Sequence, residues 1–181
     1  MVASANDRPY IVRIACSAEG GLMKSVMYSA ILFAFCGSLA FGQTPPGRSL
    51  GQLLYLPIYS HIWHGETNDK GQPMKTLVSV SVSIRNTDPV KSIRVTSAQY
   101  FDTDGKKLRD YLPSPKLIGP MATYEIFVPR SDDTGGSGAN FVIAWKSDTP
   151  ASPPIVEGFH ANLPVGRSIA FTTSAQAIPP D

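Results

Sequence analysis

The amino-acid sequence predicts an all-β fold, a single antiparallel β-sandwich behind a secretory leader. Three observations lead there. Val78, Val80, Val82 and Ile84 alternate with Ser79, Ser81, Ser83 and Arg85, a period of two that places branched side chains on one face. Short apolar runs of this kind recur along the chain, separated by Asn, Asp, Gly and Pro turn chemistry. From Gln43 onward no stretch sustains a helical period. About seven short strands punctuated in this way point to an immunoglobulin-like or fibronectin-like sandwich rather than a closed barrel.

The leader is read from Met23 to Gly42. Met23-Lys24 is a short basic start, Val26 to Phe35 is apolar, and Ala40-Phe41-Gly42 is a small-x-small cleavage signature before Gln43. The apolar run is shorter than the ~20 residues a spanning helix needs. The expected product is therefore exported, cleaved after Gly42, periplasmic or extracellular, with membrane contact only through the leader before cleavage. Residues 1–22 are mixed in character and are expected to be disordered, either a start codon placed too early or an extended n-region. Residues 43–52, with Thr44-Pro45-Pro46-Gly47, read as a flexible segment, and residues 53–178 as the sandwich domain.

The strands follow in order. Leu53 to Tyr59 is apolar, and Pro57 within it suits an edge position. Val78 to Arg85 ends at the turn residues Asn86-Thr87-Asp88-Pro89. Ile93 to Phe101 is followed by Asp102-Thr103-Asp104-Gly105, where Asp-Gly favours a tight hairpin turn. A proline-rich connection, Tyr111 to Pro115, leads to Thr123 to Val128. Phe141, Ile143 and Trp145 then share one face of a strand, with Trp145 expected as a central core residue, and Ile155 to His160 and Ser168 to Thr173 complete the set.

Composition excludes several classes. Sixteen Lys and Arg stand against fourteen Asp and Glu, a formal net charge of +2, and cleavage after Gly42 would remove Arg8, Arg13 and Lys24 with Asp7 and Glu19. Near-neutrality gives no electrostatic footprint for nucleic acid. The two cysteines, Cys16 and Cys36, both precede Gln43, so the domain has no disulfide and no Cys-ligated metal and must rely on core packing. Phe35 directly before Cys36 is too large for a lipoprotein anchor.

Four local features could carry chemistry. In Tyr59-Ser60-His61-Ile62-Trp63-His64-Gly65-Glu66, two histidines and Glu66 are candidate ligands for zinc or copper. Residues three apart on a strand face opposite sides, however, so the pair converges only if the chain turns between them. Otherwise Trp63 packs at a strand end and the histidines sit at its rim. The second feature is the loop Asp132-Asp133-Thr134-Gly135-Gly136-Ser137-Gly138, running into Ala139-Asn140. Its glycines could expose N–H groups to an anion or partner, its aspartates could hold Ca²⁺, or it could be a kinked connection passing close to another strand. The third, Asp102 to Gly105, lacks the remaining ligands of a calcium loop and reads as a hairpin turn. The fourth is Ser137 as a nucleophile with a histidine base, but Gly-x-Ser-x-Gly fails at Ala139 and a strand follows instead of a helix.

Tyr55 to Ile62, Ser83 to Pro89 with Asn86-Thr87-Asp88-Pro89, and Gly135 to Phe141 together make the chain resemble a bacterial family catalogued as domain of unknown function 3124. The resemblance covers most of Leu53 to Ile178. It implies a small exported bacterial protein with no assigned activity, substrate, cofactor or catalytic residue. His61 falls inside the resembling motif.

These readings converge on a non-catalytic binding module of the cell envelope. The expected surface combines Tyr59, Ser60, His61, Trp63 and His64 with Asp132, Asp133, Gly135, Gly136, Ser137, Gly138 and Asn140. Its expected partner is a protein or another envelope component, with no cofactor. A periplasmic transition-metal-binding protein using His61, His64 and Glu66 is the alternative, and a serine hydrolase built on Ser137 stands behind it.

Overall fold

Residues 47–179 are described by a computed structural model, and all of them fall in one compact unit. The leader and the stretch before it lie outside the described residues. The described chain is all-β and antiparallel, with twelve strands where about seven were expected. The expected strands are β1 (Ser49–Pro57), β4 (Ser79–Arg85), β5 (Ile93–Phe101), β8 (Thr123–Val128), β9 (Asn140–Ala151), β10 (Ile155–Asn162) and β11 (Ile169–Ser174). The additional ones are β2 (His61–Thr67), β3 (Pro73–Leu77), β6 (Lys107–Asp110), β7 (Lys116–Ile118) and β12 (Gln176–Ile178). Of these, β6, β7 and β12 are short, β2 is mostly exposed and β3 has no buried residue, so none shows the half-buried alternation that marks a strand in sequence.

One sheet runs β12-β1-β9-β5-β6, with β7 also paired to β5; the other runs β11-β10-β4-β8. The valine face of β4 meets Phe141, Ile143 and Trp145 of β9 across a single core. Trp145 is buried there as expected. Tyr100 and Phe141, stacked at 5.2 Å between ring centroids, are the largest side chains in full burial. In β5 the core residues are Ile93, Val95, Ala98 and Tyr100, a phase that changes midway. The pairing with β9 shifts between Val95 and Ser97, and this bulge returns Ala98 and Tyr100 to the core.

Two positions differ from expectation. β1 starts at Ser49, so Ser49 to Gln52, expected in a flexible lead-in, are paired with β9. β1 is also flanked on both sides, by β9 and β12, and is not an edge strand. Pro57 is tolerated because the pairing with β12 stops at Tyr55, which leaves the proline's side of the strand with no ladder to complete.

At the end where β4 and β9 stop, Asn86 and Asp88 form a buried polar knot. The Asn86 side-chain amide donates to the carbonyls of Lys91 (2.8 Å), Ile118 (3.2 Å) and Gly119 (2.8 Å), and its oxygen accepts from the Asp88 N–H. The Asp88 carboxylate accepts from the N–H groups of Val90, Lys91 and Ser152 at 2.9–3.0 Å. The Thr87 hydroxyl reaches the Pro153 carbonyl. Three chain segments are thereby tied by side chains, beside the backbone bonds that the Asn86 N–H makes to Ala122 and the Met121 N–H to Asp88. The opposite end, where β1, β5, β8 and β10 stop and β9 begins, carries the candidate site.

Candidate functional site

β2 and β3 form a separate hairpin that rises from this end, pairing His61 with Leu77, Ile62 with Thr76, Trp63 with Lys75 and His64 with Met74. The ladder is regular through these four pairs, so odd and even residues face opposite sides. His61, Trp63 and Lys75 share one face: the His61 and Trp63 rings meet edge-on at 4.8 Å, and the Lys75 Nζ lies 6.0 Å from the Trp63 ring centroid. His64 is on the other face, bonded through Nε2 to the Thr76 hydroxyl at 2.8 Å. The chain does bend, but only after His64, where Gly65 has φ +71° and the register slips. His61, His64 and Glu66 are consequently not gathered, and no group of three metal-ligating side chains is present among the described residues.

The loop Asp132 to Asn140 closes on this hairpin. Asp133 binds His61 Nδ1 at 2.7 Å through one oxygen and Lys75 through the other. Burial alone would raise the Asp133 pKa, but the hydrogen bonds from Lys75 and His61 outweigh it and hold the carboxyl below its usual range. With Asp133 ionised, His61 donates from Nδ1, and its Nε2 is buried without a hydrogen-bond partner among the described residues. Asp132 faces the other way, with the Arg109 guanidinium at 2.9 Å.

The glycines serve close approach. The Thr103 N–H and hydroxyl both reach the Gly135 carbonyl, the Gly138 N–H donates to the Thr103 hydroxyl, and the Ser60 N–H donates to the Gly136 carbonyl at 2.9 Å. A methyl group at Gly135 would run into the Tyr100 hydroxyl and the Ala139 side chain. The loop thus passes close to the Asp102–Gly105 turn and to Ser60. Its Gly138 N–H turns to the protein itself, donating to the Thr103 hydroxyl, and its Gly135 carbonyl accepts from the Thr103 N–H.

Several predicted site residues are structural. The Ser60 hydroxyl is buried at 3.0 Å from the Tyr100 hydroxyl, whose ionisation is pushed up by burial. Tyr59 packs edge-on against His160 and Phe171, and Asn140 pairs with both Pro57 and Phe101. His160 is fully buried and neutral: Nδ1 donates to the Gly158 carbonyl and Nε2 accepts the Tyr59 N–H, while burial pushes its pKa down to about 4. Ser137 is hydrogen-bonded to none of the three histidines, whose partners are Asp133, Thr76 and the backbone at Tyr59 and Gly158. On the His61 face Trp63 reaches solvent, half exposed at 50 %, with Asp133 and Lys75 beside it; His64 and Gly138 are exposed elsewhere on this end.

Lys75, Thr103 and Arg109 were not among the sequence candidates. Each belongs to the site only through strand register or a loop contact. The one signal available was the spacing of Trp63 and Lys75 about a turn at Asn68 to Gly71, which a hairpin reading of that segment would have brought opposite each other.

A family model described as a protein of unknown function, DUF3124, matches residues 51–178. No curated protein matches the chain. Among solved structures, the crystal structure of Thermotoga maritima 1070 is similar at 11% sequence identity with a TM-score of 0.38, covering 69% of this chain and 92% of that one.

Proposed function

The chain belongs to the DUF3124 family of proteins of unknown function, and from that premise we propose that it is an exported, non-catalytic binding module of the cell envelope. The binding surface is the Trp63 face of the β2–β3 hairpin together with the Asp133 turn. One observation carries this reading: a single carboxylate, Asp133, joins the two segments singled out separately in sequence, and holds Lys75 beside a half-exposed tryptophan. A tryptophan braced by a buried histidine and flanked by a charge pair has the make-up of a binding hot spot, since little side-chain freedom remains to be lost on contact. The partner is a protein or another envelope component.

The test offers purified protein to separated envelope fractions (cell wall, membrane vesicles and the soluble periplasmic pool) and compares wild type with Trp63→Ala. The expectation is one retaining fraction, with retention by the variant reduced roughly thirtyfold at unchanged melting temperature. Equal retention of both proteins, or none of the wild type, would remove this surface from consideration. The export part is tested by N-terminal sequencing of protein from the producing cell, with Gln43 expected as the first residue.

A further inference from the structure

The β10–β11 connection, Leu163-Pro164-Val165-Gly166-Arg167-Ser168, carries apolar side chains straight into solvent. Leu163 is 65 % exposed and Val165 fully so, at 107 %. The tip is braced, with φ +87° at Gly166 reversing the chain and the Ser168 hydroxyl donating to the Pro164 carbonyl at 3.2 Å. Phe127 of β8, itself 61 % exposed, lines a shallow groove with Leu163, Pro164 and Arg130. A second groove flanks Pro164 on its other side and contains Arg167 and His64; a third joins Arg130 to Lys75. Asn162 lines all three and anchors them, donating to the Leu77 carbonyl at 2.9 Å and accepting from Arg130 at 3.3 Å.

Arg130 and Arg167 therefore flank an apolar tip, while Lys75 in the third groove is paired with Asp133, and no Asp or Glu lines any of the three grooves. From Phe159 to Pro180 the sequence contains a single charged residue, Arg167. A soluble acidic glycan would satisfy the arginines but leave Leu163, Val165 and Phe127 in water. A bilayer surface satisfies both: apolar side chains enter the headgroup–acyl boundary while Arg and Lys meet anionic headgroups. We infer that the Leu163–Arg167 tip, with Phe127 and Arg130, is a docking edge for an anionic lipid bilayer. This goes beyond the Trp63 surface and does not depend on it. It also places a membrane contact in the folded domain, where the sequence had led us to expect one only in the leader.

The test uses the full chain with Val165→Trp, read against the parent, whose own tryptophans are Trp63 and Trp145. Vesicles contain brominated phosphatidylcholine with or without phosphatidylglycerol. The emission added by the substitution is expected to shift to the blue and be quenched on the anionic vesicles. Adding Arg130→Gln and Arg167→Gln should weaken partitioning roughly tenfold or more, and Trp63→Ala should leave it unchanged. Added emission that ignores vesicles while the circular dichroism stays β-type would overturn the inference, even if another part of the chain carries the protein onto the lipid. A response only to a soluble acidic polysaccharide would overturn it in favour of glycan binding. A response that grows with protein concentration and needs no lipid would overturn it in favour of self-association.

Discussion

The two ends of the sandwich are each organised around an aspartate, and the difference between them separates structure from function. Asp88 has no exposed side-chain surface and takes its hydrogen bonds from the backbone N–H groups of Val90, Lys91 and Ser152, which hold its pKa down to about 2, with the Arg48 guanidinium at 3.8 Å a smaller contribution. Asp133 is 36 % exposed and takes its partners from side chains, His61 and Lys75. Backbone donors cannot rotate away, so the first carboxylate fixes the path of the chain. Side-chain donors can exchange for groups on a partner, so the second arrangement suits a surface that binds. Asp88 and His61 fall within the segments by which the chain resembles its family, Asp133 and Lys75 lie outside them, and only the Asp133 end is a candidate for recognition.

The sharpest way to break this contrast is Asn86→Ala at the knot. It strands the carbonyls of Lys91, Ile118 and Gly119 and the Asp88 N–H, and a loss of about 4 kcal/mol in urea unfolding is expected, since each orphaned buried group costs ~1–3 kcal/mol with partial relief by water. A loss below about 1 kcal/mol would mean that the knot is not what holds that end.

A second prediction concerns His160, which is buried near the candidate site yet structural. Its folded pKa, about 4, lies below the ordinary 6.5, so between those values the unfolded chain binds a proton that the folded chain does not. Its contribution is complete above pH 6.5, falls as pH drops toward 4, and amounts to about 3 kcal/mol across that window. Unfolding measured at steps through this range should show the decline, and His160→Gln should flatten it. An unchanged slope in that variant would rule His160 out as the source.

Gly135→Ala tests whether the glycine loop is structural despite lying at the binding end. The added methyl meets the Tyr100 hydroxyl and Ala139, and a loss of about 2 kcal/mol in denaturant unfolding is expected because the stacked core beneath cannot yield. The smallest effect belongs to Asp133→Asn, at less than about 1 kcal/mol, because exposed ion pairs contribute little. The two aspartate-centred ends would then differ most clearly in opposite readouts, with stability lost at Asn86 and partner retention lost at Asp133. If Asp133→Asn destabilises the fold as much as Asn86→Ala, the distinction drawn between the ends fails.

Much of the fold was legible because half-buried strands write their burial into the chain with a period of two. The β4 valines, the Phe141-Ile143-Trp145 face and the Asp102 to Gly105 turn all appear where their patterns placed them. The edge strands β6, β7 and β12 were invisible because a short exposed segment has no burial to alternate. The same limit applied to Pro57, which marked a gap in pairing and not a sheet edge.

By itself, then, the sequence determined the fold class, the core faces and the absence of cysteine after Gln43, all of which follow from side-chain type and local spacing. Tertiary structure alone decided that Asp133 meets His61 and Lys75, that the chain does not turn between His61 and His64, and that the turn residues Asn86 and Asp88 are buried and tie other segments to their own. The physical reason is separation along the chain. Asp133 lies 72 residues from His61 and 58 from Lys75, and such contacts depend on strand register, which no local pattern in the sequence encodes.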